Sequence, residues 1–193
     1  MSDTRTRIIA ATNELFRRTG FHGTSLKDIS VASEATTGSI YHFFPGGKDE
    51  LAREVLLTSG AGYGALFDLI VGEADDISSA ISDFFTGAAE VLLETDFIDI
   101  CPIGTVARET ASTHDGLRTA AVEVFGDWTA RIARHLSNAG IPVSEAERLA
   151  VTIIAIIEGS FMLARASRST SGLEETGRHA RSLVEDALAK VAR

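Results

Sequence analysis

The residues whose types and spacing suit chemistry lie in two short polar stretches near the N-terminus. One reads Thr24-Ser25-Leu26-Lys27-Asp28 and the other Thr36-Thr37-Gly38-Ser39-Ile40-Tyr41-His42, with Lys48 beyond them. Their hydroxyls, imidazole and ammonium groups suit hydrogen bonding and the neutralising of anions. Small polar residues at Thr37, Gly38, Ser39 and His42 would let a helix approach the floor of a nucleic-acid groove and bond to base edges. The Tyr41 hydroxyl can reach a phosphate, and Lys27 adds a cation. Thr24, Ser25 and Lys48 stand at expected helix starts, where unpaired N–H groups and the positive dipole end favour phosphate.

Those side chains need elements to position them. The punctuation of the chain is helical: there is no sustained period-2 alternation and no Asn-Gly or Asp-Gly turn. About nine helices are expected. The first runs from Asp3 to Thr19 and stops at Gly20. The second begins at Ser25, with Asp28 three residues on as a capping partner. After a break at Ser33-Glu34-Ala35, the third begins at Thr36 and runs to Phe44. Pro45-Gly46-Gly47 ends it, and the fourth extends from Lys48 to Val71. Asp75 or Asp76 caps the fifth, which ends near Thr95. Pro102 opens the sixth, to Thr113, and Asp115 the seventh, to Gly140. Ser144 with Glu147, and Ser171 with Glu174, read as capping boxes for the eighth, to Ser167, and the ninth, to Ala192. The expected fold is all-α: a three-helix head followed by a helical bundle. Two short helices joined by a tight turn, Ser25–Ser33 and Thr36–Phe44, have the helix-turn-helix pattern.

These residues carry a resemblance. Thr24 to Ile29, Thr36 to Phe43 and Lys48-Asp49-Glu50-Leu51 resemble the DNA-binding head of TetR-type transcriptional repressors. Pro45-Gly46-Gly47-Lys48 and Cys101-Pro102-Ile103 are similar to the LmrA-like branch. The head resemblance covers residues 4 to 55. It implies a domain division into 4–60, for DNA, and 61–193, for effector and dimer. The chain departs from the pattern at Ser30 and Ser33, where the family carries alanine, and at Glu34, where it carries glycine. A left-handed backbone at Glu34 would cost roughly 1 kcal/mol or more.

Composition agrees with two roles. The net charge of −9 looks wrong for a nucleic-acid binder, but it is unevenly spread. Residues 1–53 hold 7 Lys/Arg and 6 Asp/Glu, whereas residues 54–193 hold 11 and 21. The charged start MSDTRTR is unlike a secretory signal, and the apolar run Leu149 to Ile157 is too short to cross a bilayer. A soluble cytoplasmic protein is therefore expected, with no membrane partner. A single cysteine, Cys101, excludes a disulfide framework; before Pro102 it reads as a helix entry rather than a sensor thiol. The five histidines lack metal-ligand spacing, and Gly60, Gly62 and Gly64 follow no strand, so no metal or cofactor is expected.

The second part is rich in aromatic residues. Phe67, Phe84, Trp128 and Phe161, with Val106 and Glu158, are the candidate lining of an effector site for a small apolar or amphipathic molecule. The eighth helix is apolar on every side, so it should be buried on every side. Ile153, Ile156 and Ile157, with Leu183 and Leu188 of the ninth, are the candidate dimer interface. The resemblance implies that these two helices pair with their copies as a four-helix bundle, and that the effector binds among helices four to eight. The Gly60–Gly64 stretch of the fourth helix reads either as close packing or as a hinge. The expected activity is repression on a pseudopalindromic double-stranded operator by a homodimer, relieved by the effector. A DNA-binding regulator controlled by a protein partner, and a helical enzyme or carrier, are the competing readings.

Overall fold

The computed structural model describes residues 3–98 and 101–191. Among them are nine helices and no strand: α1 (Thr4–Thr19), α2 (Leu26–Ser33), α3 (Thr37–Phe43), α4 (Gly47–Glu73), α5 (Ile77–Glu94), α6 (Pro102–Thr110), α7 (Asp115–Asn138), α8 (Val143–Ser167) and α9 (Ser171–Val191). The expected end of the ninth helix at Ala192 lies outside the described residues.

Local chemistry explains most of the boundaries. At α2 the Asp28 N–H donates to Ser25 Oγ (3.2 Å) while the Ser25 N–H donates to the Asp28 carboxylate (2.9 Å), closing the expected capping box. Thr36 Oγ1 accepts from the Ser39 N–H at 3.0 Å, and Asp76 Oδ1 accepts from the Ser79 N–H at 2.8 Å. Pro102 occupies the first turn of α6, and Cys101 Sγ caps that turn by accepting the Gly104 N–H.

Four boundaries correct the sequence reading. Ser144 and Glu147 lie inside α8, because the fixed φ of Pro142 starts the helix directly after it, and its carbonyl accepts from the Glu145 and Ala146 N–H groups (both 2.9 Å). Ser171 is the first residue of α9 and not its cap; the Thr170 hydroxyl donates to the Glu174 carboxylate instead, at 2.7 Å. α6 ends at Thr110, whose carbonyl accepts the Thr113 and His114 N–H groups in a turn. α7 stops at Asn138, before a left-handed Gly140 with φ 105°.

The chain forms two compact units that interleave in sequence: Met1–Ala61 with Ile100–Val124, and Gly62–Asp99 with Phe125–Arg193. In the first, α1 presents Ile8, Thr12 and Phe16 inward at four-residue spacing, all fully buried. The Thr12 hydroxyl is satisfied by the Ile8 carbonyl at 2.7 Å. Ile29, Ile40, Phe44 and Leu51 bring α2, α3 and α4 to the same core, and Ile103 and Leu117 add α6 and α7.

In the second unit α9 packs against both α5 and α8. Gly177 lets α9 come close to α5: a Cβ there would sit 2.7 Å from Phe85 Cβ. Between α4 and α7, Asp68 accepts from Arg131 (2.5 Å) and Arg134 (3.3 Å) and pairs with His135 Nε2 (2.6 Å). The hydrogen bond with His135, followed by that from Arg131, holds the Asp68 carboxyl below the usual carboxylate range.

α8 is not buried on every side of the protomer. Ile153 and Ile157 face inward at 2% and 6% exposure, whereas Val151, Met162 and Leu163 are 58%, 51% and 58% exposed. α4 and α8 are also long and apolar enough to cross a membrane by length and composition; α8 extends well past the run Leu149 to Ile157 at both ends.

The three glycines of α4 have different surroundings. A Cβ on Gly60 would lie 2.5 and 2.6 Å from the two Cγ atoms of Val124, one on Gly64 would meet the flexible Arg131 side chain, and one on Gly62 would meet nothing. Gly60 is thus a close-packing position. Gly60→Ala should lower the thermal midpoint by a few degrees, because a stiff β-branched neighbour must move, at roughly 1–3 kcal/mol. Gly62→Ala should raise it, through a gain of about 1 kcal/mol in helix propensity. Scanning calorimetry on the two variants checks both signs; equal shifts would remove the packing explanation.

Candidate nucleic-acid interface and effector region

α3 is fixed from inside by Ile40 (0% exposed), with Phe44 at its C-terminal end (2%). Thr37, Gly38, Tyr41 and His42 are exposed and recur at one-turn spacing, so they share one surface. Ser39 is half-buried, and its hydroxyl lies 2.9 Å from that of the exposed cap Thr36. Tyr41 is 49% exposed, and its ring lies against Gly47, where an added Cβ would come within 3.3 Å of it. Gly47 has φ 67°, which glycine adopts without strain.

On α2, Lys27 and the cap Ser25 are exposed. The Ser25 hydroxyl donates to Asp28 at 2.6 Å, and this bond, with a second from the Ser25 N–H, holds the Asp28 carboxyl below its ordinary range. Thr24 corrects the sequence reading: it is 1% exposed, and its hydroxyl donates to the Gly20 carbonyl (2.7 Å) and lies 2.9 Å from the Thr19 hydroxyl. Its side chain ties the α1–α2 connection together and is not available to a phosphate. Lys48 is half-buried with its ammonium 4.1 Å from the centre of the Phe21 ring. Burial pushes its pKa down, opposed by Asp49, Glu109 and Asp28. Glu34 takes the left-handed conformation, φ 53° and ψ 34°, between α2 and α3.

Sequence reasoning missed one contact of the head. Glu109 of α6 accepts the His22 N–H at 2.8 Å, and an added Cβ on Gly20 would lie 2.0 Å from its carboxylate oxygen. Eighty-seven residues separate Glu109 from His22, so no local pattern signals the contact.

Of the candidate effector residues, Phe67 (5% exposed) and half-buried Phe84 meet edge-on at 5.6 Å between ring centres. Phe67 also meets His135 edge-on at 5.9 Å. Trp128 is half-buried and meets Phe125 (5.6 Å) and Tyr63 (6.2 Å) edge-on. Glu158 and Phe161 lie half-buried on α8. Val106 belongs to the first compact unit and is fully buried there. Among the candidate interface residues, Ile156, Leu183 and Leu188 are half-buried. Ile153 and Ile157 are core residues of the protomer, a correction that follows from α8 showing one face to its own unit; the exposed apolar row is Val151, Ala155, Met162 and Leu163.

Comparison with known proteins agrees with this geometry. Residues 8–55 match the family described as bacterial regulatory proteins, tetR family. Residues 78–179 match the C-terminal domain described as transcriptional regulator LmrA/YxaF-like. The HTH-type transcriptional regulator YxaF of Bacillus subtilis is 36% identical over 171 residues, covering 89% of this chain and 90% of the relative. LmrA of the same organism is 30% identical over 178 residues, covering 89% and 91%. A TetR regulator from Legionella pneumophila has the same fold, with a TM-score of 0.82 at 24% identity over 96% of this chain and 97% of that one. Regulatory protein TetR from Rhodobacter sphaeroides does too, with a TM-score of 0.84 at 19% identity over 94% and 99%. TetR regulators bind DNA and form dimers, and with both of its parts matched and relatives at this level of identity, the chain belongs to the TetR family of helix-turn-helix transcriptional regulators, in the branch with an LmrA/YxaF-like C-terminal domain.

Proposed function

We propose that the protein is a cytoplasmic repressor released from its operator by a small apolar or amphipathic effector. The heads, residues 4–60, would enter successive major grooves of a pseudopalindromic duplex. Thr37, Gly38, Ser39 and His42 would meet base edges, while Ser25, Lys27, Thr36, Tyr41 and Lys48 would position the backbone. Residues 61–193 would hold the effector and the dimer interface, the latter centred on the exposed row Val151, Ala155, Met162 and Leu163 of α8. Effector binding would favour a dimer whose heads no longer fit the duplex, by as much as its affinity differs between the two states.

The observation that carries the effector reading is the set of edge-on rings in the second unit, Phe67 with Phe84 and Trp128 with Tyr63 and Phe125, beside the Asp68–Arg131 ion pair, with His135 bonded to Asp68 and edge-on to Phe67. Buried and half-buried rings next to an ion pair suit a molecule with one apolar and one polar end. Trp128 is the only tryptophan, so its fluorescence reports on this region. A screen of apolar and amphipathic compounds should yield molecules that change Trp128 emission, raise the melting temperature by mass action and release bound duplex. A screen that moves none of the three would favour control by a protein partner.

A further inference from the structure

The link between α2 and α3 is made without glycine. Glu34, an exposed residue with a full side chain, occupies the left-handed region that side-chain-bearing residues rarely adopt. Such a residue stays there only when its surroundings fix it. Its own N–H donates to the Ser30 and Val31 carbonyls, and three further hydrogen bonds hold its neighbours.

The first two grip the next residue, Ala35. Its N–H donates to the Ser30 carbonyl at 3.2 Å, a bond typical of helix ends that finish in a left-handed residue. Its carbonyl accepts from the Ser30 hydroxyl at 2.5 Å. One residue thus holds both the N–H and the C=O of Ala35, and Ala35 directly precedes Thr36, the N-cap of α3. The third bond anchors the other side: Arg7 Nε of α1 donates to the Ser33 carbonyl at 3.2 Å. The Ser33 hydroxyl turns back to the Ile29 carbonyl at 2.6 Å, so it takes no part in the grip.

We propose that Ser30 is a positioning residue for DNA recognition: by clamping Ala35 at two points, it fixes the left-handed turn at Glu34 and with it the direction in which α3 leaves α2. The N–H belongs to the Glu34–Ala35 peptide and the carbonyl to the Ala35–Thr36 peptide, so the backbone bond alone would leave the second plane free to turn about ψ of Ala35; the hydroxyl removes that freedom. The effect should fall on discrimination between sequences, because base edges are read within tenths of an ångström while phosphate contacts tolerate small rotations.

The inference rests on α3 being the element that reads bases, and the test separates the two claims. The full-length wild-type protein is used to select binders from a pool of random 30-base-pair duplexes. Affinity for one selected duplex is then compared with that for the unselected pool. Ser30→Thr keeps the hydroxyl and should hold this ratio within about twofold. Ser30→Val keeps the shape of that threonine without its hydroxyl and should lower the ratio on the order of tenfold, with pool affinity unchanged. Glu34→Gly in the Ser30→Val background should restore the ratio, because glycine adopts the turn unaided. A residue important only for folding would weaken both affinities together and would not be rescued at Glu34. Wild-type discrimination in Ser30→Val, or a loss that Glu34→Gly fails to repair, overturns the proposal. If the wild type enriches no sequence, base reading by α3 falls with it.

Discussion

Raising the salt from 50 to 200 mM will weaken duplex binding by the full-length dimer on the order of 10³-fold, if about six phosphates are neutralised across its two heads. Most of the affinity of such an interface is counterion release, and the charge distribution here makes the dependence easy to isolate. Residues 1–53 have a net charge of about +1, while the remainder is strongly acidic, so attraction to DNA is confined to the head. Tyr41→Phe should reduce affinity for all duplexes alike, since its exposed hydroxyl suits a phosphate. Thr37→Ala and His42→Ala should instead change which sequence is preferred. Anisotropy titrations of a labelled duplex at four or more salt concentrations give the slope. An affinity that stays flat across that range would be incompatible with DNA binding through phosphate neutralisation.

The second large effect concerns assembly. Ala155→Arg should convert the dimer to a folded monomer at micromolar concentration, with dimer affinity reduced at least 10³-fold. Ala155 lies on the exposed face of α8 with Val151, Met162 and Leu163, so the protomer core is not disturbed. In an isologous interface the change appears twice, and each unpaired buried charge costs several kcal/mol. The monomer should bind duplex far more weakly, since the two heads no longer share one effective concentration. Ile157→Arg is the contrasting variant: at 6% exposure it should unfold the protomer rather than divide the dimer. Light scattering with circular dichroism distinguishes these outcomes. An Ala155→Arg protein that remains a dimer would move the interface off this face.

What the sequence made legible was local. Ser25 with Asp28, Thr36 and Asp76 cap helices through residues two or three positions away, so α2, α3 and α5 were read nearly to the residue. The polar surface of α3 is legible in its small polar residues, of which Thr37, Gly38 and His42 are exposed and Ser39 is half-buried. The errors arose where a partner is remote or a pattern is ambiguous. A helix apolar all round does not reveal which face its own core takes, and Ile153 and Ile157, candidates for the interface by sequence, are buried in the protomer. Thr24 stands at a helix start that suits phosphate, but its hydroxyl is bonded to the Gly20 carbonyl, which no local pattern signals. Pro142 started α8 ahead of a serine and glutamate that together resemble a cap. The Glu109–His22 contact has no sequence signal at all.

The interleaving of the two compact units bears on recombination. A crossover near residue 60, the natural place to graft this head onto another sensor, would leave Ile103, Leu117 and the carboxylate of Glu109 with the discarded half. The graft would inherit a head whose hydrophobic partners and whose α1–α2 connection were shaped for a different α6. Chimaeras in which residues 100–124 travel with the head should therefore be recovered more often, in laboratory shuffling and in natural lineages, than those divided at a single point.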